Sequence, residues 1–227
     1  HPYGMVWGPM HWGHAVSTDL IHWTHLPIAL YPDHNGTIFS GSIVHDVHNT
    51  SGLVPNGGLV AIFSFDTQAQ GIAYSFDRGR TWRKYASNPV IPSPKRDFRD
   101  PKVFWYAPRN VWVMLLVAGD KMLIYHSTDL IRWAHVSTFG APYGSRAGVW
   151  ECPDLFPLEI DGQTKWVLLI SVGDGAIAGG SGTQYFVGRF DGTHFVSDLA
   201  GLGQGFRDTN AWLAVLTGNV FPTFFYA

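Results

Sequence analysis

The sequence predicts an all-β fold, a β-propeller of the five-bladed type present as about three and a half blades of four antiparallel strands. Three observations lead there. A short peptide recurs along the chain, the intervals between its copies hold short strands in sets of four, and no window shows the 3.6-residue periodicity of an amphipathic helix. Ser17-Thr18-Asp19-Leu20-Ile21-His22-Trp23 returns as Ser127-Thr128-Asp129-Leu130-Ile131-Arg132-Trp133. A looser copy is Ser75-Phe76-Asp77-Arg78-Gly79-Arg80-Thr81-Trp82, and a more degenerate one is Phe190-Asp191-Gly192-Thr193-His194-Phe195. The aromatic residues 23, 82, 133 and 195 recur at intervals of 51 to 62 residues, too irregular for a solenoid.

In chain order, two strands come first, at 11–16 and 22–26. Three sets of four follow, at 38–45, 59–65, 71–76 and 82–85; at 102–106, 111–117, 122–126 and 132–136; and at 152–158, 165–172, 183–190 and 194–196. Aromatic and β-branched residues fill these runs, while Gly, Pro, Asn and Asp fill the gaps. In each repeated turn the Asp is expected to accept backbone N–H groups and the Trp to pack between blades, a structural role for Asp19, Asp77 and Asp129. Residues 1–198 form the partial propeller, and 199–227 form an atypical tail, a remnant of a last blade or an out-of-frame translation.

Composition narrows the function. Of 227 residues, 46% are apolar, 15% aromatic with ten Trp, and 14% charged, which excludes intrinsic disorder. Fifteen Lys and Arg against 17 Asp and Glu give a net charge of −2, without the basic footprint of a nucleic-acid binder. The longest apolar runs, 111–118 and 166–172, are too short to cross a bilayer as a helix. One cysteine, Cys152, leaves no intrachain disulfide. A weakly charged, Trp-rich chain suits a neutral polar ligand with flat apolar faces, such as a sugar.

In a propeller the innermost strands line the central channel, so unusual residues there converge. Three inner strands open on Ile38-Phe39-Ser40-Gly41-Ser42, Phe98-Arg99-Asp100-Pro101-Lys102 and Trp150-Glu151-Cys152-Pro153-Asp154. Asp100 and Glu151 hold equivalent positions in successive blades, and two converging carboxylates are the basic equipment for glycoside hydrolysis. Taken alone, Arg99-Asp100-Pro101 reads as a salt-bridged turn.

These motifs, with Pro2-Tyr3-Gly4, Trp7-Gly8, His11-Trp12-Gly13-His14-Ala15 and Leu26-Pro27-Ile28-Ala29-Leu30, occur in the order in which glycoside hydrolase family 32 carries them. The chain resembles that family, the β-fructofuranosidases, invertases, inulinases and levanases, from His1 to about Asp198. The resemblance implies a five-bladed propeller and hydrolysis of terminal β-D-fructofuranosyl residues of sucrose or fructans by a retaining double displacement. Glu151 would be the general acid/base, its pKa raised by an apolar setting to which Trp150 and Cys152 contribute. Asp100 would stabilise the transition state, with Arg99 holding it ionised and oriented, and Trp7, Phe39 and Ser40 would line the fructose pocket. No cofactor and no metal is implied.

The family's nucleophile belongs to a Trp-Met-Asn-Asp-Pro-Asn-Gly motif on an inner strand expected to precede His1. The chain as given is therefore expected to be inactive. Rival readings are a fructosyltransferase of the same architecture, an arabinan- or xylan-cleaving propeller, which the Phe-Ser-Gly-Ser and Glu-Cys-Pro-Asp motifs oppose, and a non-catalytic fructan-binding remnant. His45-Asp46-Val47-His48 lacks a further ligand for a metal site, and His11 and His14 read as hydrogen-bonded blade residues. Cys152 reads as a small packing residue. The sequons at Asn35 and Asn49 tilt the localisation towards secretion.

Overall fold

The computed structural model describes residues 2, 4–92, 96–176 and 179–198. The all-β expectation holds: beside a short 3-10 turn at Ala107–Arg109, the elements of the described residues are strands. A two-stranded sheet of β1 (Ala15–Val16) and β2 (Thr24–His25) precedes three four-stranded ones. The second sheet is β3 (Ile38–Asp46), β4 (Gly58–Phe65), β5 (Gln70–Ser75) and β6 (Arg83–Lys84). The third is β7 (Phe98–Tyr106), β8 (Val111–Ala118), β9 (Met122–Ser127) and β10 (Ala134–Phe139). The fourth is β11 (Trp150–Ile160), β12 (Gln163–Val172), β13 (Gly182–Phe190) and β14 (Phe195–Ser197). Each is an antiparallel meander in sequence order, and the inner strand β7 packs against both β3 and β11.

The twofold alternation of a strand explains why these sheets stack as blades. Along β8, Val113, Leu115 and Val117 point into the core shared with the fourth sheet, whereas Trp112, Met114, Leu116 and Ala118 point into the core shared with the second. Along β4, Val60 and Ile62 enter that same core, and Ala61, Phe63 and Phe65 enter one with Leu30 and Ile38. A middle strand is thus apolar on both faces, and each fully buried Val, Leu or Phe contributes roughly 1.5–3 kcal/mol.

The repeated turns form as expected. In the third sheet, Asp129 Oδ1 accepts the N–H groups of Ile131 and Arg132 at 3.0 and 2.7 Å, Ser127 Oγ donates to that carboxylate, and Trp133 Nε1 donates to Leu130 O at 3.0 Å. The first copy repeats every bond: Ile21 and His22 N–H to Asp19, Ser17 Oγ to Asp19, and Trp23 Nε1 to Leu20 O. Asp77 accepts from Thr81, and Asp191 from Thr193 and His194. The expectation that the Trp packs between blades holds for Trp82 and Trp133, which lie against inter-blade cores, but Trp23 is 53% exposed.

Other departures have local causes. The expected strands 11–16 and 22–26 shrink to two residues each, with an isolated bridge between Trp12 and Leu30. The strands β7 and β11 start earlier than expected, at Phe98 and Trp150, because a bulge lets each pass through its proline. His11 Nδ1 lies 3.0 Å from Pro9 O, whereas the buried Nδ1 of His14 finds no hydrogen-bond partner among the described residues. The fully buried carboxylate of Asp46 accepts four hydrogen bonds from Thr50 and Ser51 and closes the turn after β3. The tail 199–227, with its Phe206-Arg207-Asp208 echo, lies outside the described residues.

Candidate active site

All three inner strands break register near their first residues. On β3 the shift falls between Ile38 and Gly41, on β7 between Arg99 and Lys102, and on β11 between Glu151 and Asp154. The candidates Phe39, Ser40, Arg99, Asp100 and Glu151 lie at these bulges. Asp100, at φ 62°, and Cys152, read from the sequence as a packing residue, at φ 47°, sit in left-handed backbone, a conformation in which non-glycine residues need outside support. In the β3 bulge, Gly41 is required: a Cβ there would meet Ile62 O at 2.0 Å.

The bulges converge on one cleft of about 610 Å³. Its walls include every residue singled out from the sequence: Trp7, Phe39, Ser40, Arg99, Asp100 and Glu151. Met10, His11, Trp12 and Cys152 join them. Trp7 meets Phe39 edge to face, with ring centroids 6.0 Å apart, and Trp12 Nε1 donates to Phe39 O at 2.9 Å. An aromatic wall thus faces two carboxylates, the arrangement that suits a sugar ring with one apolar face and a reacting bond.

The two carboxylates differ in setting. Asp100 is 7% exposed, and its Oδ2 accepts the N–H of Cys152 from the next blade at 2.9 Å. Burial pushes its pKa up, and neither that hydrogen bond nor the nearby Arg99 charge cancels the effect. The Glu151 side chain is one-third exposed, and its Oε1 accepts from Arg99 Nη2 at 3.0 Å. Its other oxygen, Oε2, lies 3.0 Å from where a Cβ on Gly173 would sit, so glycine leaves that carboxylate its room.

This corrects the expected partnership of Arg99. Its guanidinium bonds Asp97 Oδ1 at 2.9 Å, Gln68 Oε1 at 3.3 Å and Glu151, and reaches Asp100 only through space. Neighbouring side chains on a regular strand point to opposite faces, but the left-handed bulge at Asp100 lets both residues line the cleft, each with its own partners. Arg99 therefore orients Glu151, and its own pKa is raised because bonds to Asp97 and Glu151 outweigh the burial that opposes its charge. The same alternation removes Trp150 from the site: its ring is fully buried in the inter-blade core, with Nε1 donating to Ser145 O at 2.7 Å. Cys152 does more than pack, since its backbone N–H holds Asp100; burial, with the Asp100 and Glu151 charges, pushes its thiol pKa far up and leaves it a poor nucleophile. Among the described residues no group of His, Cys, Asp and Glu has a metal-binding arrangement.

Sequence reasoning missed Trp12, Gly173 and the polar pair Ser64 and Gln70 beneath Asp100. Ser64 left a trace, as the polar member of the otherwise apolar row Val60, Ile62, Ser64 on one face of β4.

The chain is similar to known proteins in sequence and in fold. The profile of the "Glycosyl hydrolases family 32 N-terminal domain" matches residues 1–213. A levanase of Bacillus subtilis (strain 168) is 62% identical over 207 residues, covering 87% of this chain and 31% of the levanase. An extracellular exo-inulinase of Aspergillus niger is 44% identical over 250 residues, 94% of this chain and 46% of the inulinase. Among solved structures, the fructofuranosidase from Schwanniomyces occidentalis complexed with fructose superposes with a TM-score of 0.81 at 43% identity, covering 87% of this chain and 41% of that one. The chain thus spans less than half the length of each of these relatives.

Proposed function

The chain belongs to glycosyl hydrolase family 32, and on that premise we propose that its cleft takes a terminal β-D-fructofuranosyl residue of sucrose or of a fructan. The observation that carries this reading is the meeting of Asp100 and Glu151, from bulges of adjacent inner strands, opposite the Trp7–Phe39 wall. Glu151 is the general acid/base: it protonates the oxygen of the departing sugar and then takes a proton from the incoming water. Arg99 holds its Oε1 in place, and Gly173 leaves space on the other side. Asp100 accepts hydrogen bonds from fructosyl hydroxyls, which strengthen as the ring approaches an oxocarbenium ion. Its burial removes competing water and makes those bonds stronger than they are in bulk solvent. Trp7, Phe39 and Ser40 supply stacking and hydroxyl contacts.

The reaction is a retaining double displacement, and its nucleophile lies in the family's Asn-Asp-Pro-Asn-Gly motif. The 227 residues contain no such stretch, so by themselves they bind the fructosyl group without turning it over. Support for an extracellular site of action comes from relatives named extracellular exo-inulinases; among the described residues no helix is long and apolar enough to cross a membrane.

Calorimetric titration of the chain with inulotriose and with sucrose, beside an assay for released fructose, tests both parts. Expected are saturable binding, its loss in Asp100→Asn, and no fructose release. A folded chain that binds neither sugar overturns the substrate assignment. Fructose release that disappears in Glu151→Gln overturns the assignment of the nucleophile.

A further inference from the structure

We infer that Ser64, backed by Gln70, is a positioning residue for Asp100, holding the β7 bulge in the left-handed shape that presents the carboxylate to the cleft. This rests on the role given to Asp100 above. A bulge releases backbone groups from their ladder, and here the pairing of β7 with β8 jumps from Arg99–Val117 to Lys102–Leu115. The freed N–H of Asp100 donates to Ser64 Oγ at 3.0 Å, and the Phe98 carbonyl accepts from Gln70 Nε2 at 3.1 Å. The two side chains are joined to each other, Ser64 Oγ donating to Gln70 Oε1 at 2.7 Å, and both are fully buried. Gln70 Nε2 also donates to Gln68 O at 2.9 Å, and Gln68 Oε1 accepts from Arg99. The hairpin between β4 and β5 in one blade therefore grips the residues on both sides of Arg99 in the next.

On its face of β4, Ser64 continues the row of Val60 and Ile62, where an apolar residue would pack as they do. Its hydroxyl proton goes to Gln70, and one of its two acceptor positions takes the Asp100 N–H. Such a buried, connected network fixes geometry. With Ser64→Ala, the Asp100 N–H and Gln70 Oε1 lose their shared partner in a dry environment. The bulge then relaxes, and the carboxylate turns from the cleft towards solvent.

The test compares Ser64→Ala and Ser64→Thr with the parent 227-residue chain by two readouts. The first is inulotriose affinity by calorimetry, well below the melting point of every variant. The second is the titration midpoint of the Asp100 side-chain carbon, followed by ¹³C NMR without ligand. Ser64→Ala is expected to weaken inulotriose binding roughly tenfold, the consequence of orphaning one buried donor, and to lower the Asp100 midpoint. Ser64→Thr, which keeps the hydroxyl, restores both. A purely structural Ser64 would lower the melting temperature and leave affinity and midpoint in place, and that result overturns the inference. Failure of the parent chain to bind inulotriose overturns the fructosyl reading instead, and the ligand-free midpoint still decides the role of Ser64. If Ser64→Ala does not fold, Ser64→Cys, close in size but a weak acceptor, gives the same two readouts.

Discussion

The turns at 17–23 and at 127–133 are nearly the same peptide in two neighbourhoods. They share the bonds centred on the Asp carboxylate and the Trp Nε1 bond, and Leu20 and Leu130 even share a left-handed backbone, at φ 63° and 60°. Their burial is opposite. Leu130 is fully buried in the core between the second and third sheets, while Leu20 is 65% and Ile21 77% exposed. The bonds within seven residues are thus set by those residues, whereas the contribution to stability is set by what a neighbouring blade lays against them.

The largest test of this contrast is Leu130→Ala against Leu20→Ala. The first is expected to cost about 2–5 kcal/mol in denaturant unfolding, for lost burial and a cavity, and the second to stay within about 0.5 kcal/mol. Equal losses would show that the first turn is covered in solution.

The pH dependence of two carboxylates gives the next test. In Asp129, burial opposes ionisation, but the bonds from Arg132, Ile131 and Ser127 outweigh it and lower the pKa. Its contribution is complete above the unfolded value near 4 and is lost as the pH falls through the lowered one. Asp129→Ala should therefore cost about 1 kcal/mol at pH 7, allowing for solvent screening, and nothing once the pH is below both values. Thermal melts at several pH values would show this.

Asp100 carries the opposite sign. With its pKa raised, the folded state binds a proton where the unfolded chain does not, so stability falls as pH rises from the unfolded value through the folded one. Asp100→Asn should raise the melting temperature at pH 7 by a few degrees, about 1 kcal/mol, while abolishing inulotriose binding. A lowered melting temperature would mean that the ionised carboxylate is stabilising where it sits.

The smallest expected effect belongs to the first turn's own pair. Asp19 has its pKa lowered, chiefly by His22 and by the backbone N–H groups of His22 and Ile21, but it lies in solvent. Replacing His22 with Ala should leave the melting temperature unchanged within error at moderate salt. A clear drop would contradict the claim that burial, rather than the local bonds, sets what a turn contributes.

Much of the fold was legible because propeller blades are built from short-range signals. Apolar and β-branched runs along β4, β8 and β12, turn residues between strands and the recurring Ser-x-Asp peptide all act within a dozen residues. The candidate site was legible only as a list of members. Asp100 and Glu151 stood out as carboxylates at equivalent strand starts, Phe39 and Ser40 only through the family resemblance, and all four meet in one cleft. Their partners did not stand out. Arg99 adjoins Asp100 in sequence but bonds Glu151, 52 residues away, because the inner strands β7 and β11 of adjacent blades pack side by side. Ser64 and Gln70 belong to a different blade from the residue they hold.

The sequence by itself determined the strand sets and the repeated turns and named Asp100 and Glu151 as candidates, since run composition, turn chemistry and residue type are local properties. Only the tertiary structure decided which turn is buried, which carboxylate Arg99 orients, and that Asp100 is held by Cys152 N–H from one side and Ser64 from the other. Those outcomes depend on bulges that release backbone groups and on the blades that lie close enough to receive them.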